Sequence, residues 1–246
     1  MRCARDRVVF AADVQDADKA RELLEKLRGR VGCFKIGLEL FTSTGRSFVH
    51  SISDKIPIFL DLKLHDVPTT VGRTAAVCRN MGVKYLTVHC EAGLLALEEA
   101  VRNGPDILAV TELTSKSWWG SAKQRRWRKK IKQQVRMASD AGCFGIVCPV
   151  HALKHIAKER RGLQAVTPAI RPKDWVIEGL QKDLKDHGSF WDPAQAIDLG
   201  SNMLVIGRPI RDAEDPALAA DQILKEIEDG MMEIRRRHKS LVVADI

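Results

Sequence analysis

This sequence predicts an α/β fold, a (β/α)8 TIM barrel formed as a single domain over residues 1–246, and two observations predict it. Short apolar runs rich in β-branched residues alternate with longer helical stretches from end to end. Charged and polar residues then gather at the C-terminal ends of those runs, where barrels of this kind carry their functional groups. A chain of 246 residues can hold one such domain, and no repeat, low-complexity linker or composition break divides it. An open doubly wound sheet is the competing topology, but no GxGxxG follows the first run.

Taken in order, the strands are Val8–Asp13, Cys33–Gly37, Ile58–Lys63, Tyr85–His89, Ile107–Thr111, Phe144–Cys148, Leu163–Thr167 and Met203–Gly207. Ala17–Leu27 has helical spacing, with Ala20, Leu23, Leu24 and Leu27 on one face, and Thr70–Met81 reads the same way. After the last strand, Pro216–Arg237 places Leu218, Ile223, Leu224, Ile227 and Met231 at helical intervals.

The third strand is the centre of the chain. Ile58-Phe-Leu reads as a strand buried on both faces, and the run then turns charged without breaking. Asp61 and Lys63 are two apart and therefore share a face. Asp66 follows at the loop, and Pro68 suits the first turn of a helix. A strand fraying into a solvated charged loop is the bland reading. Buried charge is tolerated mainly when paired, so an acid–base–acid cluster at a strand end favours a site.

Other strand ends add to it. The first ends in Asp13, the second carries Lys35, and the fifth runs into Thr111-Glu-Leu-Thr114-Ser115. The seventh leads into Thr167-Pro-Ala-Ile-Arg171-Pro and the eighth into Gly207-Arg208-Pro209. Any one of these could be an ordinary loop polar group. Barrels often bind phosphate at the loops after strands seven and eight, where Gly lets backbone N–H groups approach an anion and an Arg fork pairs its oxygens. Arg171, Gly207 and Arg208 fit that role, so a phosphorylated small molecule is the expected substrate.

The formal charge of +8 and pI near 9.3 suit an anionic partner, but the excess is local. Lys123–Arg136 holds eight Lys or Arg and no acid. Without those eight, the 40 basic residues fall to 32, which matches the 32 acidic ones. A solvated helix face is the plain reading of this run. A patch for nucleic acid or an anionic membrane is the alternative, because Trp118, Trp119 and Trp127 interleave with the charge. Six cysteines without CxxC spacing predict buried, reduced thiols rather than a disulfide or metal framework. No apolar run approaches the roughly 20 residues of a membrane span. The first residues carry no apolar signal, so a cytoplasmic protein is expected.

The block Asp61-Leu-Lys63-Leu-His65-Asp66-Val-Pro68-Thr-Thr70 resembles the D-x-K-x-H-D-I-P-x-T signature of the orotidine 5′-monophosphate decarboxylase family. Asp13, Phe34–Phe41, Leu113-Thr-Ser115, Thr167–Pro172 and Val205–Pro209 match in order, over roughly Val8 to Ile210. The resemblance implies conversion of orotidine 5′-monophosphate (OMP) to UMP and CO2 in pyrimidine biosynthesis, with no metal or organic cofactor. It implies Lys63 as proton donor, Asp61 beside the departing carboxylate, and Lys35 linking the charges to ribose hydroxyls that Asp13 also contacts. It further implies a homodimer in which Asp66 and Thr70 reach the neighbouring subunit's site. Thr114 is implied at the pyrimidine edge, and Arg171, Gly207 and Arg208 at the phosphate. His65 is read as a structural residue.

Three departures stand against the family pattern. Ala169 replaces the Gly of TPGIRP, a position suited to φ > 0. His187 falls where the family has a Gln bridging phosphate and base, in a Lys173–Trp191 loop longer than usual. The basic run after strand five is the third. Two other functions stay open. One is a Mg2+-dependent sugar-phosphate decarboxylase or aldolase sharing DxKxxD, and the other a decayed barrel binding nucleic acid through Lys123–Arg136.

Overall fold

A computed structural model of the chain describes residues 3–111, 121–173, 175 and 190–244. Within it the eight runs pair in parallel, each with its neighbour in sequence, and the last closes onto the first. The strands are β1 (Val8–Ala11), β2 (Cys33–Gly37), β3 (Ile58–Leu64) and β4 (Tyr85–His89), then β5 (Asp106–Val110), β6 (Gly145–Val147), β7 (Gln164–Thr167) and β8 (Met203–Ile206). The predicted barrel is the observed one. Around it run α1 (Ala4–Arg7), α2 (Ala17–Leu27), α3 (Leu38–Ile52), α4 (Pro68–Asn80), α5 (Leu94–Asn103) and α6 (Ser121–Asp140), followed by α7 (Leu153–Ile156), α8 (Pro193–Asp198), α9 (Arg208–Arg211) and α10 (Pro216–Ala244).

Local chemistry sets the helix boundaries. Asp16 accepts the backbone N–H of Lys19 and so caps α2, whose Ala20, Leu23, Leu24 and Leu27 are buried as the spacing predicts. Pro68 occupies the first turn of α4, where its missing N–H costs nothing, and the helix begins two residues before the expected Thr70. Asp192 and Gln195 form a reciprocal capping box on α8. The final helix continues past the expected Arg237 to Ala244.

Because strand side chains alternate, the barrel has two apolar layers. Phe10, Phe34, Ile36, Ile58 and Leu60 point outward and pack under the helices. Val9, Cys33, Phe59, Tyr85, Leu108, Val166 and Met203 point inward and form a packed floor. Two residues further along the same strands come Lys35, Asp61 and Thr87, which alternation directs into the interior above that floor. The polar residues of the strands are therefore brought together by the pleat itself.

One aromatic reading is corrected here. Trp127 does not sit among the surface charges. It is 4% exposed and shares the inner face of α6 with Ile131, Val135 and Ala138, packed against His151 and His155. Spacings of four, four and three residues put all four on one stripe, so the hydrophobic effect draws the indole inward. Lys123, Arg125, Arg126, Arg128 and Lys129 face solvent, while Lys132 and Arg136 pair with Glu159. Trp118 and Trp119 lie outside the described residues. Five cysteines are buried and Cys3 is exposed, all as free thiols. Among the described residues no helix is long and apolar enough to cross a membrane.

Candidate active site

The C-terminal mouth of the barrel opens into a cavity of about 450 Å3. Asp13, Lys35, Asp61, Lys63, Arg171, Gly207 and Arg208 all line it. Seven positions named from sequence thus converge on one space, contributed by five different strand ends. Asp66 and Thr70 do not line it. Both are exposed at the start of α4, on the rim beyond β3. Thr114 and His187 lie outside the described residues. His65 is also exposed, its ring stacked on His89 with centroids 5.4 Å apart, away from the cavity.

The charged groups form a chain. Lys35 Nζ is 3.0 Å from Asp13 Oδ1 and 3.6 Å from Asp61 Oδ2, and Lys63 Nζ is 2.9 Å from that same Asp61 oxygen. Two ammonium groups therefore share one carboxylate oxygen. Burial works against the charged forms of Lys35 and Asp61. The opposing charges outweigh it: Asp61 and Asp13 hold Lys35 above its ordinary value, and Lys35 and Lys63 hold Asp61 below the usual carboxylate value. Both stay ionised at neutral pH. Lys63 is the more open of the two lysines, with 36% side-chain exposure against 9% for Lys35. Lys35 braces the network and Lys63 faces the space where a substrate would lie.

A distortion of β3 gives Lys63 its place. The strand pairs Leu60 with Leu86 and next Leu64 with Val88, so four residues of β3 advance against two of β4. The extra residues bulge toward the cavity, and Lys63 takes a φ of +51°, unusual for a residue with a side chain. Inside the bulge stands Thr87, fully buried, which accepts the Lys63 N–H at 2.8 Å and donates to Asp61 Oδ1 at 3.0 Å. Sequence reading missed Thr87. Its signal was a hydroxyl in an otherwise apolar strand, two residues above Tyr85.

A basic group lines the same cavity from the loops after β7 and β8. Arg171 is 8% exposed, its guanidinium 4.8 Å from the ring centre of Trp175 and 5.1 Å from that of Phe190. Burial, then the nearby Arg208 charge, lowers it to about 10. Arg208 is lowered as well, by burial and by Arg211. Crowded, partly desolvated cations of this sort favour an anion between them. Arg211, which sequence reading also missed, lines the same cavity and donates to the backbone oxygen of Asp13 at 3.0 Å. It lies three residues after Arg208, one turn along α9.

Two small residues keep the site's shape. A methyl group at Gly37 would lie 3.2 Å from Asp13 Oδ1 and 3.3 Å from Lys35 Nζ, so the glycine leaves room for that ion pair. Ala169, at the cavity wall, has a φ of +64°. The backbone expected of a glycine there is present although the residue is alanine.

Fold and site together define a class: a (β/α)8-barrel enzyme whose mouth holds an alternating carboxylate–ammonium chain and a cluster of arginines. The chain belongs to the orotidine 5′-phosphate decarboxylase / HUMPS family, whose model matches residues 6–223. It is 38% identical to an orotidine 5′-phosphate decarboxylase of Desulfosudis oleivorans, covering 94% of this chain and 96% of that protein. It is 34% identical to one of Heliobacterium modesticaldum, covering 93% and 98%. The crystal structure of an orotidine 5′-phosphate decarboxylase from Lactobacillus acidophilus superposes with a TM-score of 0.73 at 28% identity, over 89% of this chain and 98% of that one. A Pyrococcus horikoshii structure superposes equally well, at 0.73, but at 21% identity it speaks for the fold alone.

Proposed function

We propose that the protein decarboxylates OMP to UMP at this site, with Lys63 as the proton donor. The observation that carries the reading is the Asp13–Lys35–Asp61–Lys63 chain facing a cavity that Arg171 and Arg208 also line. The phosphate sits against the arginines, and Asp13 and Lys35 meet the ribose hydroxyls. The pyrimidine then lies with C6 toward Lys63. As the bond from C6 to the carboxylate breaks, its electron pair stays on C6 and CO2 departs. The Lys63 ammonium stabilises that pair and then gives it a proton, leaving a C6–H bond and a neutral amine that solvent reprotonates. Asp61 Oδ2, 2.9 Å from Lys63 Nζ, holds the ammonium in position until that moment.

A Mg2+-dependent sugar-phosphate relative would need carboxylate oxygens for the cation. Here Asp61 Oδ2 faces two ammonium groups and Oδ1 accepts from Thr87, which favours the lysine chemistry.

Asp66 and Thr70 contribute, in this reading, to the site of a second copy of the chain. They lie on a rim that also exposes Leu38, Val67, Leu94 and Leu95, each 39% exposed or more, at the ends of three consecutive strands. Burying such side chains against a twin drives association and carries Asp66 with them.

One experiment tests all of this. OMP turnover is followed by ultraviolet absorbance, in EDTA, for wild type, Lys63→Ala, Asp66→Ala and an equal mixture of the two variants after subunit exchange. Wild type should react and each variant should be near-inactive. The mixture should recover about a quarter of wild-type activity, because half the dimers are mixed and each has one intact site. An active Lys63→Ala protein would sink the mechanism, and a dead mixture of folded, exchanging variants would sink the shared site.

A further inference from the structure

We propose that Thr87 is a positioning residue for the reacting pair: its one hydroxyl sets both the carboxylate of Asp61 and the backbone that aims Lys63 into the cavity. The inference rests on the reading that Asp61 and Lys63 act on substrate, and it adds the group that holds them. Thr87 does not line the cavity and cannot touch a ligand.

A threonine hydroxyl has one proton to give and lone pairs to accept with. Both capacities are used here, and both on the same two residues. The proton goes to Asp61 Oδ1 at 3.0 Å. That contact leaves Oδ2 as the oxygen turned toward Lys63 at 2.9 Å and Lys35 at 3.6 Å. Without it the carboxylate could rotate and divide its oxygens differently between the lysines. A lone pair takes the Lys63 N–H at 2.8 Å. Between Leu60 and Leu64 the β3–β4 ladder is interrupted, so the hydroxyl stands where a ladder carbonyl otherwise would.

That second bond matters because Lys63 has a φ of +51°. Such backbone persists in a residue with a side chain only where surrounding contacts over-determine it. The N–H to Thr87 bond and the Nζ to Asp61 bond hold Lys63 at its two ends, and Thr87 governs both. The hydroxyl is fully buried, so water cannot replace it.

The test uses full-length Thr87→Val, which keeps the shape and removes the hydroxyl, and Thr87→Ser, which keeps the hydroxyl. OMP kinetics and a crystal structure are obtained for each. The Val variant should lose about 10- to 100-fold in kcat with KM changed less than about threefold, and Ser should return kcat to within about threefold of wild type. In the Val crystal, Lys63 should leave positive φ or Asp61 Oδ2 should lose contact with Lys63. Wild-type kcat in the Val variant, or equal losses in Val and Ser, overturns the proposal. An unchanged Asp61–Lys63 geometry in the Val crystal overturns it too. If Thr87→Val does not fold, Thr87→Ala against Thr87→Ser gives the same contrast. Should wild type fail to decarboxylate OMP, it is the functional reading that fails, and the crystallographic comparison still decides the role of Thr87.

Discussion

Replacing Ala169 by glycine offers a measure of how this loop tolerates its departure from the family pattern. Ala169 has a φ of +64° and is 6% exposed, so its methyl group sits in a left-handed backbone inside the protein. Left-handed geometry costs an alanine about 1–2 kcal/mol, which glycine is spared. Against that gain stand about 0.4–1 kcal/mol for the greater freedom of glycine in the unfolded chain, and up to about 0.8 kcal/mol for the lost methyl group. The terms nearly cancel, so Ala169→Gly should leave stability within about 1 kcal/mol of wild type. The informative comparison is Ala165, fully buried in β7 and absent from the positive-φ residues. Ala165→Gly carries the same two penalties with no relief of strain and should lose about 0.4–1.8 kcal/mol. The pair should therefore differ by about 1–2 kcal/mol, or roughly 2–8 °C in Tm for a chain of this size. Calorimetry or urea unfolding, with all variants at one fixed protein concentration, measures this. Equal losses in the two variants would refute the reasoning, because the left-handed cost at 169 would then be absent. KM for OMP should change less than about threefold in Ala169→Gly, as alanine already holds the backbone that glycine would adopt.

Two further outcomes are expected. Arg171→Lys keeps a charge but loses the planar stack between Trp175 and Phe190 and the paired N–H donors, so KM should rise about 10- to 100-fold with kcat changed far less; an unchanged KM would remove Arg171 from phosphate recognition. Acid sensitivity reads Asp61, which burial would raise but Lys35 and Lys63 hold below its ordinary 3.8. A depressed carboxylate contributes stability that is fully present above the ordinary value and is lost as pH falls through the lowered one. Below about pH 4, Tm should therefore fall more gently in Asp61→Asn than in wild type, even though the variant starts lower at neutral pH; parallel acid limbs would show that Asp61 carries none of this dependence.

The alternation of strands and helices, and with it the closed barrel, was legible in the sequence because it depends on one-dimensional periods: two residues for a strand, three or four for a helix. Lys35, Asp61 and Lys63 were legible for a related reason, since charge inside an otherwise apolar strand is costly unless it faces a site. Trp127 was legible in principle, because its spacing with Ile131, Val135 and Ala138 marks a buried stripe, but charge on both sides hid it. Other features depended on which residues meet across strands. No local pattern announces that β3 carries two extra residues against β4, that Thr87 fills the gap, or that Lys63 turns to positive φ there. Nor does spacing along α9 reveal that Arg211 reaches back to the backbone of Asp13, 198 positions away. The sequence by itself determined the periodicity of the elements and the kinds of charge at their ends. Only the tertiary structure decided which carboxylate oxygen each lysine receives, because that is set by a neighbouring strand's register, and register is a property of two strands together.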